Sequence, residues 1–191
     1  MKVPLDLIKV SKIVHISSSG DYKFNIKCAE AAYDNDVLVS FDPGNDPFTE
    51  IPEYLEGVIS RTTFLFMNDV EVPGILKRLE LAQMIDLLGY GPRVIVIVNK
   101  KDKSSTIYTE GSKITIPSAI GMVKDMTGAS DGYVAGFLAG RVKGYGFKTA
   151  GILGAIEASF IVEDFGCQTN LPNWDQLVGR CKSLFDINLE S

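Results

Sequence analysis

Short apolar runs alternate along the chain with segments whose apolar residues recur every three or four positions. The runs predict buried strands, of which Val94–Val98 is the clearest; the others cover residues 13–16, 37–41 and 63–67. The segments between them predict amphipathic helices at Tyr22–Tyr33 and at residues 51–58 and 74–88. Because strands and helices follow each other in turn, we expect parallel strands joined by helical crossovers.

The second half of the chain continues with a different arrangement. Residues 106–108 and 114–116 alternate in polarity on either side of Glu110-Gly111-Ser112, which predicts a hairpin. Helices are then predicted at about 129–142, 148–162 and 174–184. The expected fold is a single α/β domain over residues 1–191, in three layers, with helices on both faces of a mainly parallel sheet.

Composition narrows the class of protein. The chain has 191 residues, of which 46% are hydrophobic and 23% charged, as expected for a globular domain with a sizeable core. A net charge of -5 argues against a nucleic-acid partner, although a site for a phosphate can still be locally positive. No apolar stretch approaches the ~20 residues of a membrane span.

The cysteines and the first residues bear on the cellular compartment. Cys28, Cys167 and Cys181 are scattered, so neither a disulfide framework nor a structural zinc site is expected. Free thiols fit a reducing environment. The first six residues lack the pattern of a signal peptide. We therefore expect a soluble, cytoplasmic protein.

Candidate chemistry is concentrated in residues 125–137, which read Asp-Met-Thr-Gly-Ala-Ser-Asp-Gly-Tyr-Val-Ala-Gly-Phe. This is a glycine-containing turn that leads into a helix. The small residues Gly128, Ala129 and Ser130 leave backbone N–H groups open to a ligand, and the helix start adds partial positive charge, which together suit a phosphate. Asp131 could accept a hydroxyl proton there. An alternative stays open, in which Asp131 only complements the helix dipole after an ordinary loop.

The same segment resembles the second signature of the ribokinase/PfkB carbohydrate kinases, D-T-x-G-A-G-D-x-F-x-A-G. The residues that carry the resemblance are Asp125, Thr127, Gly128, Ala129, Asp131, Ala135 and Gly136. The resemblance implies that Thr127, Gly128, Ala129 and Ser130 form an anion hole for the phosphate transferred from ATP. It also implies that Asp131 is the catalytic base. Ser130 stands where the family has glycine, and Tyr133 stands where it has phenylalanine.

Other segments are similar to the same family. Asn68-Asp69-Val70-Glu71 follows a predicted strand and resembles the N-x-x-E motif, which implies that Asn68 and Glu71 organise Mg²⁺, directly or through water. Residues 39–43 resemble the strand that ends in Asp-Pro, and residues 166–172 resemble the C-terminal loop of the family.

The resemblance implies an ATP-dependent kinase that phosphorylates a hydroxymethyl group of a sugar or nucleoside, with Mg²⁺ as cofactor. Two departures favour an alternative. The N-terminal substrate-binding segment of the family has no counterpart in the sequence, and residues 99–105 form a charged turn where the family has Gly-x-x-Gly. The alternative is a truncated, non-catalytic kinase-like module that binds nucleotide or serves as a scaffold.

An exposed sheet edge would favour a homo-oligomer or a partner chain that supplies the N-terminal part. No membrane partner is expected.

Overall fold

The computed structural model describes residues 2–17, 21–44 and 51–189. The sequence Ser17-Ser18-Ser19-Gly20 predicts a turn after the first strand, and residues 18–20 lie outside the described residues. The chain divides into two compact units. The first contains residues 1–100 and 106–113, and the second contains residues 101–105 and 114–191. The single domain predicted over residues 1–191 stays a prediction.

The strands and helices of the described ranges follow the predicted alternation. The strands are β1 (Ile13–Ser17), β2 (Leu38–Asp42), β3 (Phe64–Asn68), β4 (Val94–Val98), β5 (Ser105–Thr109) and β6 (Ser112–Ile116). The helices are α1 (Leu5–Val10), α2 (Tyr22–Tyr33), α3 (Pro52–Ile59), α4 (Val72–Arg78), α5 (Leu87–Tyr90), α6 (Ala129–Val142), α7 (Phe147–Val162) and α8 (Trp174–Phe185). None of these helices, within the described ranges, is long and apolar enough to cross a bilayer.

The strands form one sheet in the order β1-β2-β3-β4-β5-β6. β1, β2, β3 and β4 pair in parallel, with Ile13 opposite Leu38 and Phe64 opposite Val94. β5 and β6 are neighbours joined by only two residues, which is the length of a hairpin and too short for a parallel crossover. The mainly parallel sheet and the hairpin confirm the predicted α/β class.

The core of the first unit lies between its sheet and α3. Phe41 and Leu65 on the strands are fully buried, as is Tyr54 on the helix. The ring of Tyr54 meets that of Phe41 edge-on, with centroids 5.9 Å apart, and its hydroxyl accepts a hydrogen bond of 3.3 Å from Asn25. The strands are buried because helices cover them, which explains why they read as continuous apolar runs.

The helix predicted over residues 74–88 is wrong, because the structure breaks it into separate pieces. α4 ends at Arg78, and Glu80 adopts a φ of 54°, which interrupts the helical hydrogen bonds. Gln83 and Asp86 then form a capping box in which the Gln83 N–H donates to Asp86 Oδ2 over 3.1 Å. This box starts a short 3₁₀ turn that leads into α5. The structure also contains α1, which the apolar pattern of the sequence does not predict.

The second unit is built on the contact between α6 and α7. Every residue of α7 from position 150 to position 162 is buried. The two backbones approach closely because each helix places a glycine against the backbone of the other. A Cβ on Gly136 would lie 2.5 Å from the Leu153 carbonyl oxygen, and one on Gly154 would lie 2.6 Å from that of Tyr133. The glycines of α6 therefore serve helix packing, beyond any part in the turn that precedes it.

Glu157 is a carboxyl buried in this contact, with only 7% of its surface exposed. Its Cβ would lie 2.9 Å from a Cβ placed on Gly136, and its side chain has no hydrogen-bond partner among the described residues. Burial raises the pKa of Glu157 to about 7. In the folded state the Glu157 carboxyl therefore keeps its proton up to about pH 7, whereas in the unfolded state it loses that proton near its ordinary pKa of 4.5. Ionisation of Glu157 at higher pH therefore opposes folding.

We expect Glu157→Gln to flatten the pH dependence of stability. In the wild type, the contribution of Glu157 is largest below its unfolded pKa and is lost as the pH rises through about 7. Urea midpoints measured from about pH 5 to about pH 8 should therefore decline less in the variant than in the wild type. Parallel curves for the two proteins would show that Glu157 titrates in the folded state as it does in the unfolded chain.

Candidate active site

The turn that precedes α6 is organised by Asp125. Its Oδ1 accepts hydrogen bonds from the Thr127 N–H at 2.9 Å and the Thr127 hydroxyl at 2.7 Å. Its Oδ2 accepts one from the Gly166 N–H at 3.0 Å. These bonds hold the pKa of Asp125 below its usual range, and the bonds from Thr127 have the largest effect. An ionised Asp125 thus joins the turn to the loop that follows α7.

Gly128 occupies the position immediately before α6 with a left-handed backbone, at φ 83° and ψ 0°. A Cβ built on this residue would lie 2.5 Å from the Cβ of Cys167. Both the backbone angle and the lack of space require glycine. Cys167 is exposed, yet its contact with Gly128 helps to fix the shape of the turn.

Backbone donors remain available at the start of α6. The N–H of Ala129 points back into the turn, 3.2 Å from the Met126 carbonyl oxygen. In contrast, the N–H groups of Gly128, Ser130 and Asp131 have no acceptor in the described part of the chain. α6 is 14 residues long, so these donors lie at the positive end of a substantial helix dipole. Such a cluster is suited to an anion.

The predicted site residues in this turn differ in what they can offer. Ser130 has the ordinary negative φ of a helical residue, so serine at this position carries no backbone strain. Asp131 is exposed on the first helical turn, next to the available donors. Both donors of Thr127 are bound to Asp125, so Thr127 shapes the turn and has no donor left for a ligand.

The second turn of α6 is anchored by a polar pair that the sequence did not indicate. The Tyr133 hydroxyl lies 2.6 Å from the Ser105 hydroxyl, and both side chains are buried. Burial raises the pKa of Tyr133, so its hydroxyl stays protonated. Tyrosine in place of the family's phenylalanine therefore adds a satisfied hydrogen bond to the helix that carries Asp131.

The loop under Gly128 is itself held by the contact between α7 and α8. Arg180 on α8 makes a two-pronged ion pair with Glu163, with distances of 2.8 and 3.0 Å. It also donates to the Ser159 hydroxyl over 2.9 Å, and its guanidinium lies over the ring of Phe160. Planar pairs of this kind fix orientation as well as distance, so the end of α7, where the loop begins, is firmly placed.

Asn68 and Glu71 lie together in the first unit, at the carboxyl end of β3. The Asn68 side-chain oxygen accepts from the N–H groups of Val70 and Glu71 at 3.0 and 3.1 Å. In return, Glu71 Oε2 accepts from the Asn68 N–H at 2.9 Å. The two residues thus form a reciprocal box just before α4, which holds the Glu71 carboxylate in one orientation.

The Asn68–Glu71 box can offer a single ligand to Mg²⁺. It cannot surround the ion with protein ligands alone. The Asn68 oxygen already accepts two hydrogen bonds, whereas Glu71 keeps its second carboxylate oxygen available. No cluster of three or more His, Cys, Asp or Glu side chains that could hold a metal occurs among the described residues. Mg²⁺ commonly relies on one or two carboxylates together with waters and substrate phosphates, and Glu71 can supply one such carboxylate.

The charged turn after β4 begins beside the box. The Asp69 N–H donates to the Val98 carbonyl oxygen at 3.1 Å, and Asp69 Oδ1 accepts from the Lys100 N–H at 3.0 Å. These bonds join the carboxyl ends of β3 and β4. In parallel α/β sheets this end of the strands is the usual place for a ligand.

Most of the chain is similar in sequence to known proteins. A family model described as pfkB family carbohydrate kinase matches residues 1–174. The chain is 48% identical over 172 residues to a nucleoside kinase of Methanocaldococcus jannaschii, covering 89% of this chain and 55% of that protein. It is 36% identical to a nucleoside kinase of Methanothermobacter thermautotrophicus, covering 94% of this chain and 57% of that protein. The chain thus spans little more than half the length of these relatives.

Solved structures agree with the sequence comparisons. The crystal structure of the Methanocaldococcus jannaschii nucleoside kinase, an archaeal member of the ribokinase family, superposes with a TM-score of 0.83 at 45% identity, over 91% of this chain and 56% of that one. A Burkholderia thailandensis nucleoside kinase in complex with inosine gives a TM-score of 0.85 at 20% identity, over 95% and 61% of the two chains, and supports the fold alone. Together with the matching turn before α6, these similarities show that the chain belongs to the pfkB family of carbohydrate kinases.

Proposed function

We propose that this chain carries the phosphoryl-transfer part of an ATP-dependent kinase that phosphorylates a hydroxymethyl group of a nucleoside. The observation that carries the proposal is the group of three available N–H donors at Gly128, Ser130 and Asp131, with the Asp131 carboxylate beside them. The two relatives at 48% and 36% identity, both nucleoside kinases, favour a nucleoside over a free sugar.

The proposed reaction assigns one task to each part of the turn. Asp131 takes the proton from the acceptor hydroxyl as the hydroxyl oxygen forms its bond to the γ-phosphorus of ATP. The bond between that phosphorus and the bridging oxygen of ADP breaks, and ADP leaves. The N–H groups of Gly128 and Ser130 stabilise the negative charge on the transferring phosphoryl group. The small side chain of Ala129 leaves these donors uncovered.

Mg²⁺ would supply positive charge that neutralises the phosphate oxygens of ATP. On this chain, Glu71 would hold the ion through its remaining carboxylate oxygen, directly or through water. Asn68 would fix the orientation of Glu71 through the reciprocal box. Asp125 and Gly166 would keep the anion turn in shape during transfer.

The proposal is tested by incubating the chain with Mg²⁺ and γ-³²P-labelled ATP, and with inosine, adenosine, ribose or fructose as acceptor. We expect label to pass to the nucleosides and not to the free sugars. Label on ribose or fructose would make the protein a sugar kinase. ATP binding without transfer to any acceptor would support the non-catalytic module, and the absence of both binding and transfer would contradict the proposal.

We further propose that the chain acts in an assembly, either with itself or with a partner polypeptide. β1 stands at one end of the strand order and pairs with β2 alone among the described strands. On α1, Leu7 and Val10 are 67% and 81% exposed, so two neighbouring aliphatic side chains are uncovered on this helix. An open strand edge and exposed apolar residues both favour association.

Light scattering after size-exclusion chromatography should therefore give a mass above the 20.8 kDa of one chain, increasing with concentration. Val10→Lys should lower that mass because it places a charge in the exposed apolar group on α1. Val142→Lys is the matched control, since Val142 is 43% exposed in the other unit. A monomer at every concentration would contradict self-association, and a second polypeptide would then remain as the partner to be tested by co-expression.

A further inference from the structure

The first unit contains a cavity of about 470 Å³ that the proposed reaction does not use. It lies where three successive helix-to-strand connections meet, just before β2, β3 and β4. It is therefore at the amino ends of these parallel strands, whereas Asn68 and Glu71 follow the carboxyl end of β3. Its volume lies within the ~300–1,000 Å³ typical of small-molecule sites.

Two side chains that line the cavity have no partner within the described protein. The Arg93 guanidinium is exposed and makes no hydrogen bond or ion pair in the described ranges. The Tyr33 ring is 60% exposed and makes no contact with another ring or with a cation there. A cation and an aromatic face thus line one concavity without being used by the fold.

Among the other charged groups of the cavity, Arg61 is compensated within the protein. Arg61 pairs with Glu30 at 3.3 Å and donates to the Gly57 carbonyl oxygen at 2.8 Å. Arg61 thereby offsets both an acidic side chain and the negative end of α3. Asp36 also lines the cavity and offers carboxylate oxygens as acceptors. Arg93 remains as a cation and Asp36 as an acceptor without a partner in the described ranges, so the cavity suits a ligand with one anionic group and hydroxyl donors.

We infer that this cavity binds a nucleoside monophosphate. The base stacks on Tyr33, the phosphate pairs with Arg93, and the ribose hydroxyls donate to Asp36. Arginine binds phosphate oxygens with two parallel hydrogen bonds, and an aromatic side chain accepts any base on its face. This site shares no residue with the anion turn before α6, and it does not depend on the proposed kinase reaction.

The test is calorimetric titration of the 191-residue chain, without Mg²⁺, with AMP, with adenosine and with inorganic phosphate. AMP should bind, and adenosine and phosphate should each bind at least about tenfold more weakly because each lacks one of the two groups recognised. Arg93→Gln should weaken AMP binding about tenfold or more. Tyr33→Ala should weaken it at least about fivefold.

Two controls separate this site from other nucleotide binding. Lys77→Gln makes the same charge change on α4 of the same unit, outside the cavity, and should leave AMP affinity unchanged. Ser130→Asp places a negative charge at the anion turn and should also leave it unchanged. If Arg93→Gln disturbs folding, as judged by thermal melting, Tyr33→Ala decides alone.

The inference is overturned by any of three results. The first is that AMP does not bind to the wild type, or binds no tighter than inorganic phosphate. The second is that Arg93→Gln and Tyr33→Ala both bind AMP like the wild type. The third is that Ser130→Asp abolishes AMP binding while Arg93→Gln preserves it, which would assign the nucleotide to the turn before α6.

Discussion

Replacing Asp131 with asparagine should lower kcat for nucleoside phosphorylation by about 10²–10⁴, the range typical for loss of a general base. Asparagine keeps the size of the side chain and the helix start, but it cannot take a proton from the acceptor hydroxyl. The N–H donors of the turn belong to the backbone and are retained. The loss should therefore appear in kcat and leave KM for the nucleoside nearly unchanged.

ATP binding provides a second readout for this variant. Removing a negative charge beside the phosphates should leave ATP affinity equal or raise it, so tighter or equal binding with lost turnover identifies Asp131 as a base. Asp175→Asn is the matched control, because Asp175 is also an exposed acidic residue in the first turn of a helix of the second unit. A kcat for Asp131→Asn equal to that of Asp175→Asn would falsify the assignment.

Gly128→Ala should both destabilise the fold and disable the turn. A left-handed backbone costs an alanine about 1–2 kcal/mol, and overlap with a packed neighbour adds about 1–3 kcal/mol. With a Cβ only 2.5 Å from that of Cys167, both costs apply at this residue. The melting temperature should fall by about 5–15 °C for a chain of this size. A displacement of the donors by about 1 Å should cut turnover about a hundredfold.

Two variants divide this effect into its causes. Gly144→Ala is the control for backbone angle alone, since Gly144 has a φ of 89° and nothing within 4 Å of its Cβ position. Gly144→Ala should lose only the stability that a left-handed backbone costs an alanine. Gly128→Ala combined with Cys167→Gly removes the closest overlapping atom and should recover part of the lost stability. If Gly128→Ala melts no lower than Gly144→Ala, the contact with Cys167 is softer than the structure indicates.

The sequence predicted most strands and helices because their burial patterns are local. β4 was predicted at its observed bounds, and α6 begins and ends where its pattern does. A strand covered on both sides needs a continuous apolar run, and a helix that packs on one side needs an apolar stripe. Neither requirement depends on distant parts of the chain.

The prediction over residues 74–88 was wrong for a physical reason. Apolar spacing reports which side chains are buried, and it does not report whether the backbone between them stays helical. Here Glu80 turns to positive φ and Gln83 begins a new capping box, while the apolar residues around them still reach the core. Local hydrogen bonds by polar side chains therefore decided the backbone against the helical pattern.

By itself, the sequence determined the α/β class, the position of the turn before α6 and its family, because each depends on neighbouring residues. Only the tertiary structure decided which groups of that turn remain available. The Asp125 carboxylate meets Gly166 from 41 residues away, Cys167 excludes any side chain at Gly128, and both donors of Thr127 are used. Whether a donor is available depends on which other groups of the folded chain already bond to it. These contacts join residues that are far apart in the sequence, so no periodic pattern in the sequence indicates them.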